Sequence, residues 1–152
     1  MQNIEFENIE QVLQKEGELM TCVSGISMYP MVRTRRDMVI IKKVDRKLQK
    51  NDVPVYRLKS GKLVMHRILE VTDNGYIIRG DNLMNKEYNI TDENIIGMLK
   101  AFYRNGKLID CETSKGYRVY IFLNRISFPI RYLWKGITRP ILAKIKRMLI
   151  KK

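Results

Sequence analysis

KLVMHRILEVTDNGYIIRGDN, residues 62–82, reads as two strands joined by a tight turn. In the first strand, KLVMHRILEV (62–71), the two-residue period of a β-strand puts Val64, His66 and Ile68 on one face. Asn74-Gly75 is a dipeptide that tolerates positive φ at both central positions of a hairpin. GYIIRGDN then returns as the partner strand. Counting back along an antiparallel pair sets Asp81 roughly opposite Ile68. That is within about two residues of His66 across the ladder, at ~5 Å per step.

The same punctuation extends in both directions. ELMTCVSG, DMVIIKKV (37–44, with Val39 and Ile41 on one face) and VPVYRL read as strands before it, and Ser60-Gly61 is a further hairpin signal. NIIGMLKAFYRNGKLI supplies two more strands around Asn105-Gly106. The middle of the chain is thus a meander of short strands. Residues 4–16 carry a helical stripe of Phe6, Ile9 and Leu13 with Val12 beside it, and Gly17 ends the helix.

From Tyr117 the period becomes helical again: Val119, Phe122, Leu123 and Ile126 share a stripe, and Pro129 and Pro140 each fit the first turn of a new helix. In the last piece Ile141, Leu142, Ile145, Met148 and Leu149 form one face against Lys144, Lys146, Arg147 and Lys151. The expected fold is mainly β, a core of short antiparallel strands with an N-terminal helix and C-terminal basic amphipathic helices. Its divisions are residues 1–18, 19–112 and 113–152.

Charge is distributed unevenly over the 152 residues. The net charge is +13, yet residues 1–25 hold five Glu against one Lys, while 113–152 hold eleven Lys or Arg and no acid. Such a tail attracts anionic lipid or nucleic acid. Its apolar stripe, with Trp134 and Tyr132, suits a membrane surface better than a phosphate backbone, so nucleic acid is the weaker partner. The alternative is a helix packed on the β core with a solvated basic face. The acidic N-terminus is unlike a signal peptide, and the longest apolar run, Val119 to Leu123, is far short of the ~18 residues that span a bilayer. A cytoplasmic protein, peripheral at most on the inner membrane face, is expected. Cys22 and Cys111 have neither disulfide nor metal spacing, and the single histidine argues against a metal site, so neither metal nor cofactor is expected.

VSGISMYP, residues 23–30, aims one hydroxyl, Ser27, out of a glycine-containing turn. A serine needs a base to become a nucleophile. His66, on an apolar face that keeps imidazole neutral near pH 7, is the candidate, with a core histidine bonded to a backbone carbonyl as the plain alternative. Asp81 could orient and stabilise the imidazole, or serve only as a turn residue.

VSGISM, then VMHRI, then IRGDN together resemble the serine peptidase clan of type I signal peptidases and self-cleaving SOS-response repressors. The VSGxSM wording is closest to the repressors. Pro30, His66-Arg67 and Gly80-Asp81-Asn82 resemble the signal peptidases of the endoplasmic reticulum and archaea. The resemblance covers roughly residues 20–100. It implies Ser27 as nucleophile, His66 as base, Asp81 as its support, and Gly25 as the point where backbone passes the scissile bond. The N–H groups of Ile26 and Ser27 would be oxyanion donors, and Met28 and Pro30 substrate contacts. Asp37 fits the family's aspartate before the first core strand. The substrate implied is a leader, signal or precursor peptide with small residues before the cut. Departures from the family pattern are expected as well: the residues before the first strand show no membrane-spanning run and are too few for a helix-turn-helix domain, and the sequence shows no Ala-Gly pair. A catalytically silent peptide- or membrane-binding module of the same fold is the rival reading.

Overall fold

The computed structural model describes residues 6–150, with side chains described for 9–134, 137, 138 and 141. It falls into two compact units, residues up to Tyr117 and those from Arg118 on. The first begins with helix α1 (Phe6–Glu16), which ends as Gly17, at φ +77°, donates its N–H to the Leu13 carbonyl at 3.1 Å. Glycine is the residue that takes this left-handed cap without a Cβ penalty. Nine strands follow: β1 (Glu18–Cys22), β2 (Met38–Lys42), β3 (Pro54–Arg57), β4 (Leu63–Met65), β5 (Arg67–Thr72), β6 (Gly75–Arg79), β7 (Glu87–Ile90), β8 (Ile95–Arg104) and β9 (Lys107–Asp110). Helix α2 covers Lys115–Ile150. The mainly-β fold with a helix at each end is the expected one.

The strands form two antiparallel sheets. One runs β1-β2-β8-β3-β4, with β9 also paired to β8; the other is β5-β6-β7. Only the second is a simple meander. In the first, the ten-residue β8 pairs with β2, β3 and β9, so segments far apart in sequence become neighbours. Leu48, Tyr56, Ile68, Tyr76, Ile78 and Met98 make a buried cluster drawn from both sheets. Leu13 of α1 reaches Gly97 of β8, where an added Cβ would lie 3.0 Å from its Cδ1 and 2.9 Å from Ile41 Cγ2.

Residues 62–71 do not form one strand. β4 pairs with β3 in the first sheet, β5 pairs with β6 in the second, and His66 is the residue between them. The crossing is held by backbone: His66 N–H donates to the Pro54 carbonyl at 3.3 Å and Ile68 N–H to the Asp52 carbonyl at 2.8 Å.

The hairpin register also differs from the count along the sequence. Thr72 pairs with Gly75, so the loop is Asp73-Asn74, and of the Asn74-Gly75 pair only the glycine has positive φ, at 115°. A bulge between Ile68 and Glu70 shifts the ladder again, so Ile68 faces Ile78 rather than Asp81. The Asn105-Gly106 turn matches its reading, with φ of 51° and 75° and Arg104 paired to Lys107.

Neither Pro129 nor Pro140 starts a new helix. Both lie within α2, which runs unbroken from Lys115 to Ile150. Proline's fixed φ fits an α-helix, and the change costs the hydrogen bond of the missing N–H. The face expected over Leu142, Ile145, Met148 and Leu149 lies outside the described side chains. Among the described residues no helix is long and apolar enough to cross a membrane.

Gly75 offers the sharpest test of this register. A Cβ there would lie 2.4 Å from the Ile90 carbonyl oxygen of β7, at a backbone angle that side chains resist. Gly75→Ala is expected to destabilise the protein by roughly 1–3 kcal/mol, read as a lowered urea midpoint with unchanged slope.

Candidate active site

Ser27 is half-buried in the turn between β1 and β2. Ile26 C=O accepts from Tyr29 N–H at 3.1 Å, and Met28 C=O accepts from Val32 N–H at 3.0 Å, which tightens the turn around the serine. Gly25 has φ +87° with open space where a Cβ would stand, so its requirement is conformational. Its carbonyl accepts from the Thr34 hydroxyl. The N–H groups of Ile26 and Ser27 make no hydrogen bond within the described residues, leaving both as donors. Pro30 follows a cis bond from Tyr29, and its carbonyl accepts from Arg104 at 2.8 Å.

Asp37 anchors the far end of this loop. Fully buried, its carboxylate accepts from Arg33 N–H at 3.0 Å and Arg36 Nε at 2.8 Å, with Arg104 Nε 3.6 Å away. Burial works against the charged form, but the bonds from Arg36 and Arg33 outweigh it and hold the carboxyl below its usual range.

The turn is stitched to the segment after β6. Ser27 C=O accepts from Asn82 N–H at 2.8 Å, and Ile26 C=O accepts from the Asn82 amide at 3.1 Å. Gly80 fills the narrowest point. A Cβ on it would lie 2.8 Å from the Ser27 carbonyl oxygen, 3.0 Å from Leu83 Cγ and 3.1 Å from His66 Cδ2. The serine backbone and the imidazole edge that bears Cδ2, the carbon bonded to Nε2, therefore flank the same glycine. The Ser27 and His66 side chains are not hydrogen-bonded to each other; such contacts commonly tighten only around a substrate.

His66 is 5% exposed. Its Nδ1 lies 2.8 Å from Glu87 Oε1 and 2.9 Å from the Tyr56 hydroxyl, which itself donates to Glu87 Oε2 at 2.6 Å. With the tyrosine proton directed to Glu87, a carboxylate opposite Nδ1 assigns the ring proton to that nitrogen. Nε2 keeps its lone pair. Burial is the strongest influence on the ring and lowers its pKa, opposed by the charge and hydrogen bond of Glu87. Burial also raises the Tyr56 pKa, and Glu87 adds to the rise, so the phenol stays protonated as a donor.

The carboxylate on His66 Nδ1 is thus Glu87, not Asp81. Asp81, 2% exposed, is gripped by Arg67, with Nε to Oδ1 at 2.8 Å and an Nη to Oδ2 at 2.7 Å. Arg67 also donates to the Asn51 carbonyl, the Tyr117 hydroxyl and Met31 Sδ, each at 2.9 Å. Burial opposes the Arg67 charge, but Asp81 and Tyr117 sustain it. Asp81 therefore shapes the site by fixing the residue next to the histidine.

One other expectation changes. Met28 is buried, so its side chain offers no open surface to a substrate, whereas Ile26 and Tyr29 of the same turn are 69% and 44% exposed. Glu87 and Tyr56 carry no signal in the sequence as site residues, and Gly80 enters there only as part of a motif, without its spacing role. The Gly-Asp-Asn triplet itself was visible, and its glycine was the available signal for close backbone approach. Among the described residues no three His, Cys, Asp or Glu side chains converge as a metal site would need. Comparison of the chain with protein-family models gives no match, and comparison with curated proteins gives none either.

The two carboxylates separate experimentally. Asp81→Ala leaves Arg67 charged and buried and is expected to cost roughly 3–5 kcal/mol. Glu87→Gln keeps a hydrogen-bonding side chain at a partly exposed position and is expected to cost under roughly 1.5 kcal/mol. Urea denaturation of the two variants beside the parent chain measures both.

Proposed function

We propose that the chain is a serine endopeptidase in which Ser27 is the nucleophile, His66 the general base, and Glu87 with Tyr56 the groups that orient the base. One observation carries this reading: the Ser27 turn and the Nε2 side of a buried, carboxylate-held imidazole meet across Gly80. The resemblance of VSGISM, VMHRI and IRGDN to the signal-peptidase and repressor clan supports it independently, with Glu87 replacing Asp81 beside the histidine.

The chemistry follows from the placement. Ser27 Oγ attacks the scissile carbonyl carbon while His66 Nε2 takes its proton. The negative charge on the carbonyl oxygen is met by the N–H groups of Ile26 and Ser27, each such donor contributing about 3 kcal/mol. The imidazolium, steadied by Glu87, returns the proton to the leaving amine, and water then hydrolyses the acyl-enzyme by the reverse exchange. Substrates are leader, signal or precursor peptides with small residues before the cut.

Peptides carrying Ala, Gly or Ser before the cut, incubated with the parent chain and with Ser27→Ala, test the assignment by mass spectrometry of the products. Cleavage by the parent and loss of roughly 10³-fold or more in the variant is expected. Equal cleavage by both refutes Ser27 as the nucleophile, and none by either across a broad peptide library assigns the fold to a binding role instead.

The pH profile tests the base. Burial lowers the His66 pKa below 6.5, so activity should rise with pH along a limb centred below 6.5 and be flat above it. Glu87 raises that pKa, so Glu87→Gln should move the limb to lower pH while reducing kcat by roughly 10²- to 10⁴-fold. The same depressed pKa makes a stability contribution that is complete above pH 6.5 and is lost as pH falls through the folded-state value. A limb unchanged in His66→Ala refutes the assignment.

A further inference from the structure

Past Arg118, α2 carries a long exposed apolar face. Val119, Leu123, Ile126, Ile130, Leu133 and Ile137 follow one another at steps of four and three, which keeps them on one side of a helix. Phe122 and Trp134 widen the stripe and Ile141 extends it, for about 33 Å at 1.5 Å per residue. Exposure along it runs from 51% at Ile126 to 70% at Trp134. Tyr132 lies off the stripe, with its ring 6.2 Å from that of Phe128. Single exposed hydrophobes are ordinary, but a continuous face of this length marks an interaction surface.

Charge identifies what covers it. Residues 113–152 hold eleven Lys or Arg and no Asp or Glu, and exposed Arg118 and Arg125 stand off the stripe. A second copy of the helix would bring the same positive charges together with no carboxylate to pair them, unlike the opposite-charge pairs that flank the seam of helix dimers. Nucleic acid would neutralise the charge and leave the stripe in water. A bilayer surface bearing anionic headgroups satisfies both faces of the helix at once.

We propose that residues 118–150 lie flat on an anionic membrane, with the stripe at the acyl boundary and the basic residues among the phosphates. The inference stands on the helix alone and is independent of the chemistry proposed at Ser27.

Trp134 is the only tryptophan in the chain, so its fluorescence reports this face directly. The full chain is titrated at low salt with vesicles of phosphatidylcholine alone and of phosphatidylcholine with phosphatidylglycerol. A blue shift and protection from acrylamide quenching are expected on the anionic vesicles only, reversed by salt as exposed charges are screened. Arg118→Gln/Arg125→Gln should weaken binding by roughly 10- to 30-fold, since each basic residue near the surface contributes about fivefold. Ile130→Glu, at a position 66% exposed, should abolish the shift while leaving the far-UV circular dichroism intact. No shift on anionic vesicles at low salt overturns the proposal, as does an equal shift on neutral ones. A shift that grows with protein concentration and ignores vesicles assigns the face to a second copy and overturns it too.

Discussion

The buried pair of Arg67 and Asp81 is the constraint on which the rest of the site depends. At this point the chain leaves one sheet and enters the other, and an interior crossing of that kind must satisfy every polar group it carries. Arg67 does so with one guanidinium: two bonds to Asp81 after β6, one to the carbonyl of Asn51 before β3, one to Tyr117 in the first turn of α2. Three separate segments are thereby tied to the residue that follows His66. Arginine suits the position because its planar fork makes several directed bonds that a lysine ammonium cannot reproduce.

From that fixed point the histidine is positioned in both directions. Its backbone is pinned to Pro54, and its ring stands at a T-shaped angle of 65° to Tyr56, whose hydroxyl bridges to Glu87. The division of labour between the two acids follows from their surroundings. Asp81, enclosed with a permanent cation, is committed to structure. Glu87 is partly open and faces a ring that can change its charge. In the proposed reaction, a carboxylate that stabilises a transient imidazolium is better placed on the second kind of partner.

What the sequence makes legible follows from which forces are local. Strands whose alternation is apolar, such as Met38–Lys42 and Gly75–Arg79, are readable because burial imposes the two-residue period. β7, EYNI, has no residue fully buried, so its sequence carries no such imprint and Glu87 goes unseen with it. The misplacement of Asp81 has a different origin. A two-residue loop and one bulge each shift the ladder, and neither is encoded in hydrophobic period. The strand order is equally hidden, because β8 brings together partners distant in sequence. Continuity through Pro129 and Pro140 escaped a rule of helix starts that does not consider a helix extending on both sides.

The Ser27 turn shows how local and distant information combine. Its conformation is written nearby, in Gly25 at positive φ and in Asp37 closing the loop. Its location is set from afar, by Asn82, whose N–H and side-chain amide donate to the carbonyls of Ser27 and Ile26, and by a glycine at 80 small enough for the serine backbone and the imidazole to flank it. A side chain at 80 would have to displace backbone on one side or imidazole on the other. The three motifs are therefore one physical unit: the first carries the serine and two N–H groups without a partner among the described residues, the second the ring, and the third the narrow glycine that serine backbone and ring both flank.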